Sequence, residues 1–136
     1  MTARRAGAPA DDLVFSPGML ARALQAFPDT TPKLVVLQAC HAGGFAPALA
    51  GVPGLVGLAA ARHDRTSFGC DPGPDMTTFG AIYIGLLAGR LTDASALPAL
   101  DWPAIYQQVQ ARVAAAEAAQ GATPSLPVLL EGAPAQ

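Results

Sequence analysis

The chain has 136 residues, of which 51% are hydrophobic and 13% are charged, and its formal net charge is −2. This composition is typical of one packed globular domain and excludes a disordered chain. The eight basic residues are scattered, which argues against a nucleic-acid partner, and the longest apolar runs are far too short to cross a bilayer. No apolar run follows the basic residues near Met1, so we expect no secretory signal and a soluble chain that is cytoplasmic by default.

The first part of the chain predicts two kinds of element in alternation. Residues 12–15 are a short strand candidate, and Ser16 followed by a proline suits the N-cap and first position of a helix over 17–27. Residues 33–38 form a continuous apolar run, which is typical of a strand that is buried on both faces of a parallel sheet. Residues 54–60 show the same pattern more weakly.

The second part begins with a long polar segment. Residues 61–75 are rich in turn-forming residues and too long for a simple connection, which indicates a functional loop. Helices are predicted over 77–89, capped by one of two threonines, and over 101–120, where Asp101 supplies the cap. A last strand is predicted over 126–130. The alternation of strands and helices favours an α/β layered fold with a mainly parallel sheet.

Cys40 stands at the carboxyl end of a predicted strand, where α/β folds bind their ligands. Gly43 and Gly44 follow it and let the backbone approach a substrate closely. A thiol needs a neighbouring base to react quickly at neutral pH, so these residues alone leave two interpretations open: a nucleophile, or a small buried apolar side chain. Cys70 is the second cysteine, and a disulfide and two reduced thiols remain equally open.

Residues 38–45, with the sequence QACHAGGF, resemble the cysteine motif of the caspase-like clan. The segment as a whole is similar to the bacterial branch of the legumain-like cysteine peptidase family. Residues 58–70 resemble the second signature of that family, residues 77–80 resemble the helix start that follows it, and residues 124–132 resemble its closing strand. The similarity runs in order from about residue 12 to residue 132.

This resemblance implies a caspase-like α/β/α sandwich that hydrolyses peptide bonds with a cysteine–histidine dyad and uses no metal or organic cofactor. The implied substrate is a peptide or a protein. Cys40 would be the nucleophile and would donate its own N–H to the oxyanion, with Gly7 as the second oxyanion donor. The implied substrate-binding residues are Gln38, Ala60, Thr66 and Ser67.

The histidine of the implied dyad is missing from its expected place. The family carries it in a His-Gly pair, and Ala6 precedes Gly7 here. His41 directly follows the cysteine, so we expect its side chain to point away from the thiol, and His63 in the polar loop is a substitute base. The alternative for both histidines is an exposed loop position.

The resemblance also predicts the boundaries of the segments of the chain. We expect an irregular segment over 1–11, a partial caspase-like peptidase domain over 12–132 that lacks its N-terminal strands, and a tail over 133–136. A late start codon or frameshift, a fragment, or a degenerate paralogue would each explain such a chain, and an uncovered strand edge would favour self-association.

Three functional hypotheses follow. The first is a cysteine endopeptidase domain that is truncated and has little or no activity as given, because the dyad histidine is absent. The second is a catalytically dead module that binds a peptide or a protein. The third is an α/β domain of another kind in which Cys40 is merely buried.

Overall fold

The computed structural model describes residues 15–67 and 77–135, and within these ranges a three-stranded sheet lies between two layers of helices. The elements in chain order are α1 (Pro17–Gln25), β1 (Lys33–Leu37), α2 (Ala46–Leu49), β2 (Leu55–Ala59), α3 (Thr78–Leu87), α4 (Trp102–Ala119) and β3 (Val128–Glu131). Two 3₁₀ turns, Ala42–Phe45 and Ala94–Ala99, precede α2 and α4. The architecture is the α/β fold expected from the sequence, and none of the helices in these ranges is long and apolar enough to span a membrane.

The sheet has the order β1-β2-β3 and is mixed. Strands β1 and β2 are parallel, with Lys33 opposite Leu55 and Leu37 opposite Ala59. Strand β3 is antiparallel to β2, and Val128 at its start lies opposite Ala59. The connection after α4 passes the carboxyl end of β2, where the Arg62 N–H donates to Ser125 O, and β3 then runs back along β2.

The start of each long helix is explained by its capping residue. Ser16 Oγ accepts a hydrogen bond from the Met19 N–H at 3.2 Å, and Thr77 Oγ1 accepts one from the Gly80 N–H at 2.9 Å. The carboxylate of Asp101 does the same for α4. These are the caps that the sequence predicted, and each satisfies a backbone donor that the helix itself leaves free.

Each face of the sheet has its own core, because side chains alternate between the two faces along a strand. On one face Leu58 and Ala60 pack with apolar side chains of α3, α4 and the second 3₁₀ turn. On the other face Leu55 and Ala59 pack with α1, α2 and the inner side of β3. The sheet is therefore covered on both sides.

Several predicted boundaries shift by one or two residues, and α1 ends at Gln25 rather than at residue 27. Of the predicted strand at 12–15, only Phe15 is described, and it lies outside any strand. Past β3, the Ala133 N–H donates to Val52 O at 3.0 Å and its carbonyl accepts from the Gly54 N–H at 2.9 Å. The end of β3 is thus tied to the start of β2.

Candidate active site

Cys40 is exposed just beyond β1, at the edge of the sheet where both parallel strands end. The Ala60 N–H donates to Leu37 O at 2.9 Å, which continues the β1–β2 pairing to the last residues of both strands. Because the two strands end together, the cysteine turn and the segment after β2 are brought side by side. This is the position in an α/β sheet where ligands bind.

The turn after Cys40 is tight. His41 has a φ of 60°, in the left-handed region, and the 3₁₀ turn Ala42–Phe45 follows it. The Gly43 N–H donates to Ala61 O at 2.7 Å, and a Cβ at Gly43 would lie 3.0 Å from both Ala61 O and the His63 nitrogen. Glycine therefore allows the cysteine turn to lie directly against the backbone that follows β2.

Residues 61–67 form one wall of the site. The Ser67 N–H donates to Cys40 Sγ at 3.2 Å, and the His41 N–H donates to Arg65 O at 2.8 Å. The sulfur accepts this hydrogen bond from the backbone of the segment that follows β2. The structure thus brings Ser67, one of the residues expected from the sequence, into contact with the Cys40 thiol.

Both histidines are exposed, and neither imidazole hydrogen-bonds to Cys40 Sγ in the described part of the chain. His41 Nδ1 lies 3.0 Å from His63 O. A carbonyl oxygen only accepts hydrogen bonds, so Nδ1 carries the hydrogen in this contact. His63, the substitute base expected from the sequence, enters the contact through its backbone carbonyl.

Gln38 is held by two side chains of α3, one at its N-cap and one in its middle. Its Oε1 accepts a hydrogen bond from Thr77 Oγ1 at 2.9 Å, and its Nε2 donates to Tyr83 Oη at 3.2 Å. A Cβ at Gly80 would lie 2.7 Å from Gln38 Oε1, so glycine leaves room for the amide. The sequence predicts Thr77 as one of two candidate helix caps, and it predicts no contact of Gln38 with Thr77 or Tyr83.

The remaining expected site residues are placed differently. Ala60 is buried in the core, whereas Thr66 is exposed and Ser67 is partly buried. Gly7, Ala6 and Cys70 lie outside the described residues. In the described ranges, no cluster of three or more histidine, cysteine, aspartate or glutamate side chains could hold a metal ion.

One ion pair lies in the 61–67 segment. Arg62 Nη2 donates to Asp64 Oδ2 at 2.7 Å, and Arg62 Nε donates to the other carboxylate oxygen. This exposed two-point contact holds the pKa of the Asp64 carboxyl well below its usual range and raises the pKa of Arg62. Because Arg62 and Asp64 carry opposite charges, the pair adds no net charge to the 61–67 segment.

Residues 61–67 are also connected to α4 by two successive hydrogen bonds through Ser125. The Arg62 N–H donates to Ser125 O at 2.9 Å, and the Ser125 N–H donates to the Glu117 carboxylate at 3.0 Å. Glu117 and Ser125 are buried, with exposed fractions of 2% and 1%. A buried carboxylate that accepts a backbone N–H is a firm support, since removal of the acceptor would leave that N–H unsatisfied.

The comparison with known families identifies the family of this chain. The model of the Peptidase C13 family matches residues 7–130, which is most of the chain. The chain therefore belongs to the Peptidase C13 family, the legumain family, and is a cysteine peptidase domain. This confirms the family expected from the sequence. Neither the curated proteins nor the solved structures include a match to this chain.

Proposed function

We propose that Cys40 is the nucleophile of a site that binds a peptide or protein substrate across the carboxyl ends of β1 and β2, and that this chain by itself turns over little or no substrate. The observation that carries the proposal is the Ser67 N–H on the exposed Cys40 sulfur, at 3.2 Å, where two parallel strands end. A merely packed cysteine would be buried and would have no need of a hydrogen-bond donor at its sulfur.

The proposed chemistry is acyl transfer. The Cys40 thiolate attacks the scissile carbonyl carbon, a C–S bond forms, and the carbonyl electron pair moves to the oxygen. The backbone N–H of Cys40 stabilises that oxyanion, with Gly7 as the proposed second donor. Collapse of the intermediate breaks the C–N bond and leaves a thioester. The amine takes a proton as it leaves, and water, deprotonated by a base, then hydrolyses the thioester.

Both halves of this reaction need a group that moves protons. The chain contains two histidines, and Ala6 stands where the family carries its histidine. His41 directs Nδ1 at His63 O, and the His63 ring makes no hydrogen bond to Cys40 Sγ. These contacts support the proposal that neither ring serves as an efficient base. His63 as a substitute base stays a prediction, and His63→Ala tests it wherever cleavage is seen.

Substrate contacts are proposed for the residues around the thiol. Ser67 contacts the Cys40 sulfur and Thr66 directly precedes Ser67, whereas Gln38 lies two residues before Cys40 with its amide fixed by Thr77 and Tyr83. Ala60 is proposed to support the site from beneath, because its side chain is buried. A fixed neutral amide beside the nucleophile can both donate to and accept from a substrate side chain.

Activity against a peptide library tests the two parts of the proposal separately. We expect the wild type to cleave no more peptide than Cys40→Ala does. We also expect iodoacetamide to alkylate Cys40 faster than it alkylates free cysteine. Cleavage that Cys40→Ala abolishes would overturn the inactivity. Alkylation slower than that of free cysteine would overturn the role of Cys40 as nucleophile.

A second candidate function is a peptide- or protein-binding module without turnover. Two observations favour it. Ser67 is held against Cys40 and Gln38 is held by α3, so the site is formed, yet no imidazole hydrogen-bonds to the thiol in the described part of the chain. In that case library peptides would bind equally well to the wild type and to Cys40→Ala. Peptide binding that is undetectable by calorimetry would contradict it.

Self-association through β1 is a further part of the proposal. The Lys33 N–H donates to Gly54 O and Leu37 O accepts from the Ala60 N–H, so alternate residues of β1 face β2. The N–H groups of Leu34 and Val36 therefore point to the outer edge, which pairs with no strand in the described ranges. We expect light scattering to detect a dimer that Val36→Pro reduces to a monomer. A monomeric wild type would contradict this.

A further inference from the structure

We propose that His41 is a positioning residue, a clamp that holds residues 61–67 so that the Ser67 N–H stays on the Cys40 sulfur. The inference rests on the proposed role of Cys40 and adds to it a reason for the histidine that directly follows the nucleophile. It assigns His41 a task that requires Nδ1 as a hydrogen donor and requires no proton transfer with the thiol.

The contacts of His41 carry the argument. Its N–H donates to Arg65 O at 2.8 Å and its Nδ1 donates to His63 O at 3.0 Å. Two residues further on, the Ser67 N–H reaches Cys40 Sγ at 3.2 Å. Residues 62–65 form a turn that the Arg65 N–H closes on Arg62 O at 3.0 Å, so the two His41 contacts hold this turn and Ser67 follows directly after it.

The backbone of His41 explains why the ring can reach this carbonyl. A φ of 60° is uncommon for residues other than glycine, although asparagine, aspartate and histidine adopt it more often than most. In this conformation the side chain leaves the turn toward the segment that follows β2. Nδ1 carries a hydrogen in the tautomer that makes this contact and in the imidazolium, so the clamp does not depend on the ring's charge.

Two substitutions distinguish the effect of the His41 ring hydrogen bond from the effect of the His41 backbone conformation. His41→Asn and His41→Gly both accept a positive φ, but only asparagine keeps a nitrogen donor on Cγ, where histidine carries Nδ1. We expect His41→Gly to slow iodoacetamide alkylation of Cys40 about two- to fivefold, the size of effect that one modest hydrogen bond gives. We expect His41→Asn to restore the rate to near the wild-type value. Peptide mass spectrometry separates the Cys40 adduct from that of Cys70.

Hydrogen exchange of the Ser67 amide provides a second readout that does not depend on the reactivity of Cys40. Exchange should be faster in His41→Gly and unchanged in His41→Asn. An unchanged alkylation rate and unchanged Ser67 exchange in His41→Gly would overturn the clamp, as would an asparagine variant that behaves like the glycine variant. If wild-type Cys40 reacts more slowly than free cysteine, the nucleophile proposal fails while the exchange experiment still decides the clamp.

The wild-type protein offers a test that requires no variant. A long-range ¹H–¹⁵N spectrum distinguishes a histidine protonated at Nδ1 from one protonated at Nε2 alone. We expect the His41 ring to carry a hydrogen on Nδ1 at neutral pH. A neutral His41 ring with its hydrogen on Nε2 would contradict the clamp whether or not the variants fold.

Discussion

The two ends of the β1–β2 pair are held by different kinds of interaction. At the carboxyl end, exposed hydrogen bonds between two loops surround Cys40. At the amino end, the buried Lys33 ammonium donates to the carbonyls of Pro28, Thr31 and Pro53 at 3.3, 3.1 and 2.7 Å. An apolar cleft of about 280 Å³ beside Trp102 adjoins that end. Changes at the amino end should therefore unfold the protein, whereas changes at the carboxyl end should alter reactivity while the fold persists.

The largest expected effect is that of Gly132→Ala at the amino end. A Cβ there would lie 2.0 Å from Val52 O and 2.8 Å from Leu55 Cβ, so the backbone would have to move. We expect a loss of about 3 kcal/mol or more in the free energy of unfolding, measured by urea denaturation.

Two other glycines provide the comparison for this variant. Gly43→Ala would place Cβ at 3.0 Å from its neighbours, and we expect a smaller loss of about 1 kcal/mol together with slower alkylation of Cys40. Gly85→Ala, inside α3 with nothing within 4 Å, should stabilise by about 0.5–1 kcal/mol. Equal losses for Gly132→Ala and Gly43→Ala would contradict the contrast between the two ends.

Replacement of Lys33 by methionine tests the buried cation. The apolar stem would be kept, but three partly buried hydrogen bonds would be lost, and Pro28 O would keep only the Thr31 N–H. We expect a loss of about 2–3 kcal/mol. Arg112→Met, at an exposed position of α4, is the matched control and should stay within about 0.5 kcal/mol of the wild type. If both variants unfold at the wild-type urea concentration, Lys33 does not hold the amino end together.

Glu117 connects α4 to the segment that contacts Cys40, so its replacement should change both the free energy of unfolding and the alkylation rate of Cys40. Glu117→Ala would leave the buried Ser125 N–H without an acceptor, and we expect a loss of about 1–2 kcal/mol with slower alkylation of Cys40. Glu117→Gln keeps an acceptor oxygen and should cost less. Destabilisation of Glu117→Ala with an unchanged alkylation rate would show that the support does not extend to Cys40.

The smallest expected effect concerns the exposed pair of Arg62 and Asp64. Arg62 lowers the pKa of Asp64, so the pair is present above the usual aspartate range and is lost only as the pH falls through the lowered pKa of the folded state. In an NMR titration, the midpoint of the Asp64 carboxyl should lie below the usual aspartate range. In Arg62→Gln the midpoint should return to the usual aspartate range. The unfolding temperature should barely change, because exposed ion pairs add little stability. A wild-type midpoint in the usual range would contradict the pairing.

The sequence predicted most of the described elements because their signals are local. Ser16 with Pro17, Thr77 and Asp101 marked the helix starts, and the apolar run from Lys33 placed Cys40 at a strand end. The two 3₁₀ turns were missed, since such short turns leave little periodicity.

The details of the site depend on contacts that a linear pattern does not carry. The Gln38–Tyr83 hydrogen bond joins residues 45 positions apart, and the donor to Cys40 Sγ is a backbone group of Ser67, which any residue type could supply. The direction of β3 is set by how α4 packs, and the direction of the His41 ring is set by a positive φ. Residue types therefore identified the family and predicted Cys40 as the nucleophile, and only the tertiary contacts revealed what surrounds the thiol.

Competition between Cys40 and free cysteine for a limiting amount of iodoacetamide tests the central claim most directly. The adduct on the Cys40 peptide is measured by mass spectrometry at neutral pH, against the same protein unfolded in urea. A thiol held by the Ser67 N–H is expected to react faster than free cysteine and to lose that advantage on unfolding. A folded Cys40 that reacts more slowly than free cysteine, and speeds up when the protein unfolds, would contradict its role as a nucleophile.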